Sequence, residues 1–383
     1  MKIKNNALIV GEDKKPLFSV KQILSDNWDN YLLCHEVTAY QKKEVDKALS
    51  CYGNKKGCFV YYCKTCDKYI FQSMGCNSRI CSCCGKRYTD QWSHSLSKSM
   101  FPVSHRHFVI SVPDALWSFL KDWKMRKVYM DAAIAAFNDF YSKILHRDVT
   151  VGVIVILHPY GKDMKEQPHL HLLITEGGYD KNGYFVKCDF IPAAGFRKKW
   201  QYEVLKKFQS CGLPNELASK MYKKYPNGFY VWLHSRGRIT HPKLIAKYVG
   251  RYVRHPAIAN SRIFFYDGRI VKFFYTNNED KRIEVTMTVD QFITALIQHI
   301  PPPHFKMIRY YGAYARKTKR KFGAKSLSSI KQLNLYHFGL EKVKSCPFCH
   351  HELEFVMYCK KPPPEEPKSQ QELTTWISVS VKN

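Results

Sequence analysis

Cysteine placement constrains this chain before anything else. Nine of its 14 cysteines fall between Cys34 and Cys84, and three more between Cys346 and Cys359. In the first group, Cys63-Lys64-Thr65-Cys66 and Cys81-Ser82-Cys83-Cys84 form two C-x2-C pairs with 14 residues between them. So short a stretch buries too little apolar surface to fold alone. Clustered C-x2-C pairs in a chain without an apolar leader read as ligands for Zn2+ rather than as disulfides. The thiolates of Cys63, Cys66, Cys81 and Cys84 suffice for a tetrahedron, and binding the metal would supply the folding energy. Cys51, Cys58, Cys76 and Cys83 are alternative ligands, with thiols enough for two ions. Cys346-Pro347-Phe348-Cys349 repeats the spacing and reads as a second, smaller knuckle.

Charge narrows the class of partner. Lys and Arg outnumber Asp and Glu by 61 to 32, a net charge of +29, and the chain carries 25 Tyr, 23 Phe and 7 Trp. Basic charge interleaved with aromatics suits single-stranded nucleic acid, whose phosphates meet cations and whose bases stack on rings. Lys64, Lys68, Arg79, Lys86 and Arg87 surround the cysteine block. The start, Met1-Lys2-Ile3-Lys4-Asn5, has no apolar core of a signal peptide, and no 18-residue apolar run predicts a membrane span. We therefore expect a cytoplasmic protein with no membrane partner and no small-molecule substrate.

A second feature carries chemistry. Pro168-His169-Leu170-His171-Leu172-Leu173-Ile174-Thr175 reads as a buried strand. Residues two apart on a strand share a face, so His169 and His171 present two imidazoles side by side, half of a divalent-metal site. Other strands are predicted at 107–112, 149–157 and 229–233. Strands are also predicted at 263–266 and 270–275, joined by an Asp267-Gly268 turn, and at 282–288. Helices are predicted in residues 1–50, 115–146, 193–225 and 289–300. This order predicts an α+β fold with a mainly antiparallel sheet.

Residues 241–254 read as one more helix, with Pro242 in its first turn and His255-Pro256 past its end. Tyr248 and Tyr252, four apart, share a face of it, and Lys247, Arg251 and Arg254 crowd the neighbouring surface. A second Tyr-x3-Tyr pair, Tyr310 and Tyr314, lies on no such helix.

Four motifs occur in a fixed order. They are Asn77-Ser78-Arg79-Ile80-Cys81-Ser82-Cys83-Cys84, then Pro168-His169-Leu170-His171, then Tyr248-Val249-Gly250-Arg251-Tyr252 followed by Ile258-Ala259-Asn260-Ser261-Arg262, then Phe305-Lys306-Met307-Ile308-Arg309-Tyr310-Tyr311-Gly312. Over roughly residues 50–320 the chain resembles the IS91-like transposases, two-tyrosine HUH rolling-circle enzymes of prokaryotic insertion sequences. One departure is Ser82, where that family often carries proline.

The resemblance implies a ferredoxin-like HUH nuclease domain with a central antiparallel sheet that carries the His pair; the cysteine spacing adds an N-terminal zinc-ribbon-like domain and a small C-terminal zinc knuckle. The corresponding divisions are a helical lead-in (1–50), a zinc-binding DNA-recognition domain (51–100), the nuclease domain (101–300), a basic segment (301–345), and the knuckle with a disordered tail (346–383). It implies Mg2+ or Mn2+ on His169 and His171, with the third ligand open among Glu166, Gln167 and His107. It implies Tyr248 and Tyr252 as nucleophiles toward single-stranded DNA at the element's ends. Lys247, Arg251, Arg254, Arg262, Arg316 and Lys317 are the expected DNA contacts, and the nucleoid is the expected place of action. A plasmid or phage replication initiator, or a non-catalytic zinc regulator, is the alternative.

Overall fold

The computed structural model describes residues 17–51, 57–97, 99–188, 191–233, 257–277, 279–319, 322 and 345–359. Two helices open the described chain, α1 (Val20–Cys34) and α2 (Ala39–Leu49). Ser19 caps α1 by accepting the Gln22 N–H, and Thr38 with Gln41 forms a capping box on α2. The hairpin β1 (Cys58–Cys63) and β2 (Lys68–Ser73) leads into α3 (Ser82–Ser97). Next come β3 (His105–Ser111), α4 (Trp123–Leu145), β4 (Thr150–Tyr160), β5 (Glu166–Tyr179) and β6 (Phe185–Lys187). Helices α5 (Ala193–Gln209) and α6 (Asn215–Lys224) precede β7 (Val231–Leu233). After residue 256 come β8 (Ile263–Tyr266), β9 (Ile270–Thr276), β10 (Arg282–Thr288) and α7 (Val289–Gln298). The described chain closes with β11 (Ile308–Gly312), α8 (Arg316–Lys319) and β12 (Glu354–Cys359).

The main sheet has six strands in the order β11-β4-β5-β3-β7, with β6 on β5, and every pairing is antiparallel. Its central path, β7-β3-β5-β4, is the strand order of a ferredoxin-like βαββαβ unit, with α4 linking β3 to β4 and α5 leading from β5 toward β7. One face is closed by α4 and α5. Phe108, Val153, Val155, Leu170, Leu172 and Ile174 pack there against Phe137, Tyr141, Phe196 and Trp200. Both faces of β5 are covered, which is why its sequence reads as one apolar run. On the second face Ile154, Ile156 and Leu173 meet Trp92 and Leu96 of α3, together with Tyr314.

Two smaller bodies flank this sheet. The three-stranded sheet β10-β9-β8 shares a core with α1, α2 and α7, built on Ile23, Trp28, Phe273, Phe292 and Leu296. The N-terminal helices are thus not a separate lead-in but half of a module whose other half arrives some 240 residues later, as the Val20 N–H to Asn260 Oδ1 bond shows. The expected Asp267-Gly268 turn is present: Gly268 has φ +91°, and Asp267 Oδ1 accepts the Arg269 and Ile270 N–H groups. The other body is the sheet β12-β1-β2.

The stretch expected to be a basic segment (301–345) contributes β11 to the main sheet. Its alternation sets Ile308 opposite Ile156 and Tyr310 opposite Ile154. The predicted helix at 241–254 and the disordered tail lie outside the described residues. Among the described residues no helix is long and apolar enough to cross a membrane.

Candidate metal centre

Register on β4 and β5 assembles the imidazole site. His169 and His171 point to one side of β5, and β4 sets His158 directly opposite His169 and Ile156 opposite His171. The ligand nitrogens of His158, His169 and His171 all lie within 4.8 Å of one another. This trio adds His158 to the candidates for the third ligand, which the sequence leaves open. Glu166 is turned to Arg126, at 3.2 Å. Gln167 uses its carbonyl to accept the His169 Nδ1–H at 2.7 Å. His107 lies beside the trio, its Nε2 3.0 Å from His171 Nδ1 and the two ring planes nearly parallel, at 4°.

These outer contacts set tautomers. A carbonyl only accepts, so His169 carries its proton on Nδ1 and offers Nε2. If His171 likewise donates from Nδ1 to His107, its Nε2 is the nitrogen that could take a metal. Burial lowers the pKa of His169, and lowers that of His171 well below the ordinary value with help from the neighbouring imidazoles. Both are held neutral, the form that binds a metal. Three converging imidazoles suit a divalent transition ion, or Mg2+ shared with phosphate oxygens.

Tyr310 and Tyr314 serve the sheet. Tyr314 Oη accepts the Phe101 N–H at 3.1 Å and is 2.7 Å from His105 Nε2, and Trp92 donates to Tyr310 Oη at 3.1 Å. Burial pushes both phenols up, away from ionisation.

The thiols fall into two groups that the linear spacing does not reveal. Cys51, Cys76, Cys81 and Cys84 form one cluster, and Cys63, Cys66, Cys346 and Cys349 form another. The expected set of Cys63, Cys66, Cys81 and Cys84 is therefore split. Cys63 and Cys66 sit at the β1–β2 turn, whereas Cys81 and Cys84 sit at the start of α3, where Cys51 and Cys76 meet them. In the first cluster the sulfurs of Cys81 and Cys84 lie 3.5 and 3.6 Å from that of Cys51. Cys58 belongs to neither cluster; it pairs across the sheet with Cys359. Thiolates this close repel unless a cation neutralises them, and Zn2+ with four sulfurs does so.

Around the first cluster the chain is cross-tied. Ser82 Oγ donates to the Ile258 carbonyl at 3.2 Å and lies 3.1 Å from Asn260 Oδ1. Arg262 ends a short turn, Asn260–Arg262, and is half-buried, while Arg316 and Lys317 are exposed on α8. Lys247, Tyr248, Arg251, Tyr252 and Arg254 lie outside the described residues.

Residues 152–321 match the family described as "Putative transposase", and residues 23–112 match the IS91 "Transposase zinc-binding domain". The chain belongs to the IS91-like transposase family. It is 27% identical over 335 residues to the transposase for insertion sequence element IS801 of Pseudomonas savastanoi pv. phaseolicola, over 83% of this chain and 80% of that one. It is 24% identical over 277 residues to "Putative transposase y4qJ" of Sinorhizobium fredii (strain NBRC 101917 / NGR234), over 67% of this chain and 70% of that one. No solved structure matches it. In this IS91-like chain the transposase match spans all three imidazoles, and the zinc-binding match holds the whole first thiol cluster.

Proposed function

We propose that this transposase cleaves and rejoins single-stranded DNA at its element's ends by tyrosine attack, driving rolling-circle transposition. The observation that carries the proposal is the imidazole trio on paired strands of a ferredoxin-like sheet, within a chain of this family. Mg2+ or Mn2+ held by His158, His169 and His171 would polarise the scissile phosphate. Tyr248 or Tyr252 attacks phosphorus, the P–O3′ bond breaks, and the 3′ oxygen leaves as a hydroxyl. The product is a 5′-phosphotyrosine that the 3′-OH can later reverse. A phenol near pKa 10 needs help to ionise, which Lys247, Arg251 and Arg254 would give. Two tyrosines allow a second cut while the first strand end stays covalently held. The excess of cations, including Arg262, Arg316 and Lys317, suits the DNA backbone, and a nucleoid-associated place of action goes with that partner.

The test is a denaturing gel of the full chain with labelled single strands from the flanks of its own gene, with Mg2+ or Mn2+. The expected result is DNA 3′ of the cut left covalently on protein. The adduct should disappear in the Tyr248→Phe/Tyr252→Phe double variant and in His158→Ala. An adduct that persists in the double variant would overturn the nucleophile assignment, and one that persists in His158→Ala would overturn the metal ligand.

A further inference from the structure

The second thiol cluster joins parts of the chain that lie 280 and 286 residues apart. The family matches end at residues 112 and 321, so Cys346 and Cys349 lie beyond both. We propose that Cys63, Cys66, Cys346 and Cys349 bind a second Zn2+, which clasps the C-terminal hairpin onto the zinc-binding module.

Each half of the site is a tight turn built to present two sulfurs. Cys63 ends β1 and Cys66 lies in the turn before β2, where Asp67 takes a left-handed φ of +51°. On the other half, Ser345 bridges to Glu352, the His350 N–H donates to the Cys346 carbonyl, and His350 has φ +61°. The Cys346 N–H donates to the His351 carbonyl. Facing each other, the turns leave sulfur separations of 3.4 Å for Cys63–Cys349 and 3.9 Å for Cys66–Cys346. A tetrahedron with Zn–S of about 2.3 Å has edges of about 3.8 Å. Disulfides would join these sulfurs in pairs, but all four converge on one point.

The surrounding structure shows why a metal is needed. Besides the ligand thiols, the buried side chains of this body among the described residues are Phe59, Tyr61 and Leu353 on one face and Cys58, Val60 and Cys359 on the other. So small a core is a weak hold on two segments so distant in the chain, since closing a long loop costs entropy. Binding of the metal is then the docking free energy of β12 on β1. Lys68 over the Phe348 ring, at 4.7 Å, adds a surface contact between the same two halves. Cys58 and Cys359, 0% and 2% exposed, face each other across the docked strands and take no part in the cluster. They report whether β12 is in place.

The experiment measures zinc per chain by elemental analysis on the purified full-length protein, so it does not depend on nuclease activity. Two zinc ions are expected, and one in the Cys346→Ser/Cys349→Ser variant. In that variant, alkylation read by mass spectrometry should reach Cys58, Cys63, Cys66 and Cys359, while Cys51, Cys76, Cys81 and Cys84 stay protected. Exposed Cys34 and Cys211 mark full reaction in both proteins. One zinc in the native chain, or two in the variant, would overturn the proposal. If the variant does not fold, a protease site placed between Phe322 and Ser345 of the otherwise native chain gives a second test. After cleavage the C-terminal piece should co-purify with the rest until a chelator releases it. A piece that is never retained, or that stays after the zinc is gone, would refute the clasp.

Discussion

Replacing His107 with alanine should weaken metal binding at the proposed imidazole site without touching any of its three candidate ligands. His107 Nε2 is 3.0 Å from His171 Nδ1, and His107 is only 4% exposed, so bulk water does not readily take its place. With His171 as the donor, the contact holds its ring in place and leaves Nε2 for a metal. Removing such an outer partner typically costs 10–100-fold in metal affinity, about 1.4–2.8 kcal/mol. The assay is Mn2+ titration of the full-length protein by calorimetry, with the thiol clusters already loaded and zinc content checked in parallel. His107→Gln sets an amide oxygen near the position of Nε2 and should recover most of the loss, which a simple cavity effect would not allow. An unchanged Mn2+ affinity in His107→Ala, at unchanged zinc content, would refute the reasoning.

Tyr314→Phe leaves the buried Phe101 N–H and His105 without the hydroxyl and should cost about 1–3 kcal/mol of stability in urea unfolding. The covalent adduct should still form; its loss in a folded protein would reopen the choice of nucleophile. Gly312→Ala should be far worse. Its φ is +54°, and a Cβ would fall 1.8 Å from the Val151 carbonyl oxygen. The left-handed backbone alone costs an L-residue roughly 1–2 kcal/mol. Gly183→Ala, at φ +89° with nothing within 4 Å, is the matched control, and equal thermal shifts in the two would contradict the clash. The pKa values of His169 and His171 are lowered by burial, so in acid the unfolded state takes up protons that the native state refuses. Stability of the metal-free protein should therefore fall as pH drops below the ordinary histidine value near 6.5 and be fully regained above it. Mn2+ affinity should hold down to that pH, and a midpoint of loss above it would count against the shift.

The sequence exposes what depends on neighbours in the chain. The His169/His171 pair follows from strand period alone, and the β8–β9 hairpin from its Asp-Gly turn. Pairing between distant segments is different. His158 was missed because it stands next to Pro159 at the far end of a strand, where only the β4–β5 register reveals that it faces His169. A signal was available in the alternation Ile154, Ile156, His158, which puts this histidine on one face with two buried residues. The thiol grouping was obscured for the same reason. Spacing suggested that Cys63/Cys66 and Cys81/Cys84 belong together, yet α3 carries the latter to Cys51 and Cys76, and β12 brings new partners to the former. Nor does the amphipathic pattern of α1 say which surface it will cover; it covers one that the chain builds after residue 257.

The cross-tie at Ser82 has a mechanical meaning. The stretch proposed to carry the nucleophiles leaves the described chain at Leu233, which is paired to Phe108 of β3, and rejoins it at residues 257–260. There Ser82, the residue after the thiol ligand Cys81, grips the Ile258 carbonyl. The two described ends of that stretch are held by different bodies of the fold. One anchor belongs to the sheet that carries the imidazoles. The other rests on the first thiol cluster, so zinc held there would fix where residues 257–260 re-enter the fold.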